Sequence, residues 1–194
     1  MPRFVDSDVR RQEILEAAIV VLAESGLQGL SFRTVAQRLG GSATLVTHYY
    51  RSRRDMLVGL TSYSIAKGRD QLSVLEHDVE DPLARLRALL CWLVPDDAES
   101  LREEHARLNL MPARDSDADI AHFFDEWERE VRQLLRSHLI PLVPDSELDG
   151  ITDFLRALTN GVCLSAIEHP DTWTASRQHS VITRALTVVR SSAI

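Results

Sequence analysis

Apolar residues recur along this chain with the period of an α-helix, and no segment shows strand-like alternation bounded by turns. Ile14, Ala17, Ala18, Val21 and Leu22 form one stripe, which predicts a first helix from near Ser7 to Gly26. Two short helices are expected next, over 31–39 and 42–49. The run Ser52-Arg53-Arg54-Asp55 has the form of a capping box and opens a long helix to about His77. Asp81-Pro82 starts another, because proline suits the first helical position, and Pro95 stops it. A further helix is predicted over 97–110, ahead of Pro112. Ile120, Phe123, Phe124, Trp127, Val131, Leu134 and Leu135 share one face of the clearest amphipathic helix, over 117–140, which Pro141 ends. Ser146 is expected to cap a helix running to about Glu168, and a last helix is predicted over 174–191 with Val181, Ile182, Ala185, Leu186 and Val189 inward. The expected fold class is all-α, with short loops and no internal repeat.

Residues 31–50, Ser-Phe-Arg-Thr-Val-Ala-Gln-Arg-Leu-Gly-Gly-Ser-Ala-Thr-Leu-Val-Thr-His-Tyr-Tyr, read as a helix-turn-helix. Ala36 is small where two helices must cross closely. Gly40 falls at the end of the first helix, where the turn needs positive φ. Val46 is placed as the apolar anchor of the second helix, and Ser31 and Ser42 are placed to cap the two helices.

With its flanks, from Arg11, Ile14, Ala17, Ala18, Leu22, Glu24 and Gly26 to His48-Tyr49-Tyr50, Ser52, Arg53, Met56 and Leu57, the stretch resembles the DNA-binding domain of TetR-family transcriptional regulators. The resemblance covers roughly the first third of the chain. It implies an N-terminal three-helix DNA-binding domain over residues 1–52, joined by a long helix to a helical effector-binding and dimerisation domain over 53–194. This chain departs from the family at Thr47, where a phosphate-touching Tyr is usual, and at Gly41, where a β-branched residue is common. Tyr50 and Arg53 stand for the usual Phe and Lys, conservatively for packing and phosphate contact.

Composition is ordinary for a globular protein, with 44% hydrophobic and 26% charged residues, and no apolar run is long enough to span a bilayer. The net charge of −7 is unevenly divided. Residues 1–54 carry eight Arg and no Lys against five acidic residues, a net +3, which leaves −10 for 55–194. A basic head and an acidic body suit a protein that meets phosphate with one end only. The two cysteines, Cys91 and Cys163, lack metal-ligand spacing and are expected to be free thiols of a cytoplasmic protein. HExxH, GxSxG, P-loop and Cys-x-x-Cys patterns are all absent, so the reading is not an enzyme and requires no metal or cofactor.

The expected DNA contacts follow from position. Ala43, Thr44, Thr47 and His48 face the groove from the second motif helix, with Ser42 at its start. Tyr49, Arg51 and Arg53 are phosphate contacts, Arg33 and Thr34 touch the backbone near the start of the preceding helix, and Arg3 is a candidate for the minor groove. On the helix before Glu168, Ala157, Gly161 and Ser165 form a small-residue stripe beside Phe154, Leu158 and Val162. The resemblance implies a homodimer through the last two helices, adding Ile182, Ala185, Leu186 and Val189 to the interface. A twofold dimer presents two reading helices one DNA turn apart, roughly 34 Å. Trp92, His105, Leu108, Met111, Phe123, Phe124 and Trp127 are candidates for a pocket holding a small-molecule effector. The expected partners are thus a double-stranded DNA operator, an effector and a second copy. The alternative is a DNA-binding or partner-binding protein that needs no effector.

Overall fold

A computed structural model of the chain describes residues 7–192. Its described part is all-α, with no strand among the described residues: α1 (Ser7–Gly29), α2 (Phe32–Arg38), α3 (Ala43–Tyr49), α4 (Arg53–Glu76), α5 (Pro82–Trp92), α6 (Ala98–Leu110), α7 (Ala118–Leu139), α8 (Asp145–Glu168) and α9 (Ala175–Ser191). A single 3-10 turn, Met111–Ala113, follows α6 at Pro112. Every predicted helix is present, with ends within a few residues of expectation.

The punctuation follows local chemistry. Gly26, at φ 62° and ψ −169°, breaks the helical path inside α1 where the first helix was expected to stop. Ser31 caps α2 in a full capping box: its hydroxyl accepts from Thr34 N, and the Thr34 hydroxyl accepts from Ser31 N. Asp81 caps α5 through Ala84 N, with Pro82 at the first helical position. Ser52 accepts from Asp55 N, and the Asp55 carboxylate reaches back to Arg51 N, one residue beyond the standard box. Two expected caps are corrected. Ser42 has the extended backbone of a cap, but its side chain makes no cap hydrogen bond. Ser146 lies inside α8, whose preceding residue is Pro144, because proline's fixed φ already serves the helix start.

The chain divides into two compact units, each with its own core. The first comprises residues up to Ala66 together with 102–126. Ile14, Ala18 and Leu22 of α1, Val35 and Ala36 of α2, Val46 of α3, Tyr50, and Met56 and Leu60 of α4 form its centre, joined by Leu110, Ile120 and Phe124. The second comprises 67–101 and 127–194. Its core gathers Leu86, Leu89 and Leu90 of α5, Val131, Leu135 and Leu139 of α7, Leu155 and Val162 of α8, and Ile182 and Val189 of α9. The compact division passes through α4 after Ala66. The single apolar face expected on α7 is shared out: Ile120 and Phe124 serve the first core, Val131 and Leu135 the second.

Candidate DNA-binding site

The site is built on the turn between α2 and α3. Gly40 adopts φ +67°, the left-handed conformation the turn requires, and Gly41 N donates to Ala36 O at 2.9 Å. Ala36 and Val46 are both buried, so the small residue permits the close crossing and the valine anchors the short helix. Thirteen-atom helical rings alone do not hold a seven-residue helix in water, so α3 depends on this anchorage.

With Val46 turned inward, the opposite face of α3 is presented outward. Ala43, Thr44, Thr47 and His48 are all exposed, as is Ser42 at its start. These side chains are short or planar, all polar but the methyl of Ala43, and they reach base edges only when the helix itself enters the major groove. Thr47 meanwhile donates to Thr44 O at 3.2 Å. Tyr49 is half-buried, and its ring meets that of His48 edge-on at 5.0 Å. Tyr50 is core, with its phenol pushed up by burial against the opposing pull of Arg11.

The arginines of this unit divide into two groups. Arg38 makes a two-point contact with Glu24 at 2.7 and 2.8 Å, Arg54 pairs with Asp119 at 3.1 Å, and Arg10 pairs with Glu13 at 2.5 Å. Arg53, expected on phosphate, donates to Leu27 O at 2.6 Å, near the end of α1. Arg33 and Arg51 are exposed, and their side chains carry no hydrogen bond or ion pair among the described residues. Like that of the exposed Arg102 of α6, these side chains have no partner among the described residues, and they flank α3 along the chain, from the start of α2 and from the residue after Tyr50. Thr34 is half-buried with its hydroxyl donating to Gly29 O at 2.7 Å, so it serves the α2 cap. Arg3 lies outside the described residues. The contact that sequence reasoning missed is Arg11, whose guanidinium donates to Tyr49 O at 3.1 Å across 38 residues of chain. No periodicity announces a pairing at that separation.

The remaining candidates are distributed between the units. His105, Leu108, Met111, Phe123 and Phe124 belong to the first, and Trp92 and Trp127 to the second. Phe124 is part of the first core, Met111 is exposed, and His105 and Leu108 are half-buried. Trp92 and Trp127 pack with ring centroids 6.3 Å apart, and Trp92 Nε1 donates to Gln71 at 3.1 Å. A cleft of about 370 Å³ in the second unit is lined by Glu76, Arg85, His138 and their neighbours, and by none of the effector candidates. There the Glu76 carboxylate accepts from Arg85 at 2.8 Å and meets His138 Nε2 at 2.5 Å. Cys91 is half-buried, with burial pushing its thiol up, and Cys163 is buried; both are free of disulfide.

On α8, Phe154, Ala157 and Gly161 are exposed and Leu158 and Ser165 half-buried. Val162, Ile182, Ala185, Leu186 and Val189 are instead buried within this chain's second core. The inward stripe of α9 is spent on packing against α5 and α8, which leaves Phe154, Leu164 and Val188 as the large apolar side chains these two helices expose.

Comparison with known proteins agrees with this geometry. The family model described as "Bacterial regulatory proteins, tetR family" matches residues 14–60, and that described as "BetI-type transcriptional repressor, C-terminal" matches 82–190. The HTH-type transcriptional regulator PksA of Bacillus subtilis (strain 168) is 26% identical over 175 residues, 88% of this chain and 84% of that protein. The HTH-type transcriptional regulator BetI of Yersinia pestis (strain Pestoides F) is 32% identical over 93 residues, 46% of each chain. Among solved structures, a transcriptional regulator from Rhodococcus sp. Rha1 superposes with a TM-score of 0.82 at 24% identity, over 95% of this chain and 98% of that one. A transcriptional regulator from Saccharomonospora viridis, solved in complex with choline, gives a TM-score of 0.79 at 19% identity, over 94% and 97%. The helix-turn-helix at one end and the BetI-type helical region at the other place this chain in the TetR family of DNA-binding transcriptional regulators.

Proposed function

We propose that the protein is a cytoplasmic homodimeric repressor that is released from a palindromic DNA operator by a small-molecule effector. Residues 1–52 read the DNA, and 53–194 bind the effector and pair the protomers. The observation that carries the reading is the outward face of α3, where Ser42, Ala43, Thr44, Thr47 and His48 stand exposed, flanked in the chain by Arg33 and Arg51, whose side chains have no partner among the described residues. One head supplies few cations, so useful affinity requires two heads on one duplex. The exposed Phe154, Leu164 and Val188 with the open Gly161 support pairing through α8 and α9. The repressor role draws support from the matched C-terminal model, and the effector from the choline held by the S. viridis relative. In this reading the effector binds better to a dimer whose heads are wrongly spaced for DNA, and so shifts the population away from the operator.

The test is fluorescence anisotropy with labelled duplex from upstream of the protein's own gene, over a salt series and with added choline. Saturable binding tighter than to a scrambled duplex, with two or four protomers per site, supports the regulator. Release by choline identifies an effector class. Binding no tighter than to scrambled DNA, lost at moderate salt, sinks the assignment of this operator.

A further inference from the structure

The α3 helix carries the exposed reading face but only seven residues, and its final carbonyls have no helical donor. Arg11, near the start of α1, meets this end. Its Nη1 donates to Tyr49 O at 3.1 Å. Its guanidinium carbon lies 5.7 Å from the Tyr49 ring centroid and 5.8 Å from that of Tyr50, within cation–π range of both. A cation at a helix C-terminus also opposes the negative end of the helix dipole. One planar group therefore restrains a carbonyl and two rings at once. Beyond it, the Tyr49 ring meets His48 edge-on at 5.0 Å with the planes at 89°. A line of contact runs from Arg11 through Tyr49 to His48, on the reading face.

The base of that line is fixed. Ile14, Leu15 and Ala18 of α1 are buried in the first core, and Tyr50 is buried beside them. The rotation of the last turn of α3 is thus referred to a helix that cannot shift without disturbing the core. Arg33 and Arg51 are exposed and make no such internal contacts among the described residues.

We propose that Arg11 is a positioning residue for operator reading: it sets the register of the α3 C-terminus and the His48–Tyr49 pair, and does not contact phosphate. The proposal rests on the DNA-reading assignment of α3. Lysine keeps the charge but not the fork that reaches carbonyl and rings together, so the conservative variant separates the two roles.

The experiment uses the full chain. The wild type first selects duplexes from a random-sequence library; binding to the enriched duplex and to a scrambled one is then followed by anisotropy over a salt series for wild type, Arg11→Lys and Arg11→Gln. Displacing one base-reading side chain costs a factor typical of a lost base contact, about tenfold. Both variants are therefore expected to lose about tenfold on the enriched duplex and to lower the thermal midpoint by a few degrees through the lost contacts, with scrambled-duplex affinity and salt slope unchanged. Recovery of wild-type affinity by Lys, with a slope in Gln smaller by about 0.9 per lost phosphate contact, makes Arg11 a phosphate ligand and overturns the proposal. Equal losses on both duplexes make it merely structural and also overturn it, as does no change in affinity. If the wild type enriches no sequence, the DNA-reading assignment itself falls, and the proposal with it.

Discussion

Gly40 stands at φ +67°, and a Cβ added there would meet no atom within 4 Å. Replacement by alanine therefore costs backbone strain alone, about 1–2 kcal/mol, and should lower the thermal midpoint by a few degrees without changing the helical content seen by circular dichroism. Gly68 presents the opposite case. A Cβ there would lie 2.7 Å from Trp92 Cζ2, a ring already tied to Gln71 and packed on Trp127. Gly68→Ala should destabilise the second unit by about 1–3 kcal/mol through overpacking and alter tryptophan fluorescence, whereas an unchanged spectrum would contradict the close approach. The first glycine could be named from its place in the motif. The second could not, because Trp92 is far along the chain and nothing in the local pattern around Gly68 marks it.

At the scale of the element, the helices were legible because their starts and stops are written in adjacent residues. Ser31 stands immediately before α2, and so its cap can be read directly, whereas Thr34, expected on DNA, proves to be its reciprocal partner. Ser31→Ala should cost about 1 kcal/mol, measurable by urea denaturation. Where a start is satisfied by backbone alone, as at Ser42 and Ser146, the same residue type misleads. Asp97 opens α6. Its carboxylate accepts from Ser100 N at 2.7 Å, from the Ser100 hydroxyl at 2.7 Å and from Glu99 N at 2.9 Å. The Ser100 amide above all, then its hydroxyl, holds the carboxyl below the usual carboxylate range. A depressed carboxylate contributes stability that is present above its unfolded value, about 3.9, and is lost as pH falls through the lower folded value. The wild type should therefore lose part of its stability on acidification below about pH 4, and Asp97→Asn should lose less over that range. Identical acid profiles for the two proteins would remove Asp97 from the account.

Across the whole molecule, the apolar residues of α8 and α9 show the limit of helical periodicity. A stripe identifies the face that will be buried but not the partner that buries it. Val162, Ile182, Ala185, Leu186 and Val189 look equally suited to a neighbour in the same chain or in a second copy, and they are buried in this chain. Gly161 is exposed, with no atom within 4 Å of an added Cβ. Gly161→Glu should leave the protomer folded while blocking the close approach of a second α8. Sedimentation velocity should then show a monomer with wild-type circular dichroism, and a persisting dimer would move the interface elsewhere. DNA affinity should fall together with dimerisation, because each head alone neutralises few phosphates.

The sequence by itself determined the all-α class, the order and approximate ends of the helices, the reading motif and the basic head on an acidic body. Each is carried by spacing within one or two helical turns, or by composition summed over a region, and neither requires the chain to be folded to be read. Tertiary structure decided which arginines are free and which are spent. Arg38 goes to Glu24, Arg53 to Leu27 O and Arg11 to Tyr49 O, while the side chains of Arg33 and Arg51 have no partner among the described residues. These pairings join residues 14, 26 and 38 positions apart. A guanidinium has the same charge and reach wherever it stands, and so only the packing of one helix against another chooses between a carbonyl of the chain and the phosphate of a partner.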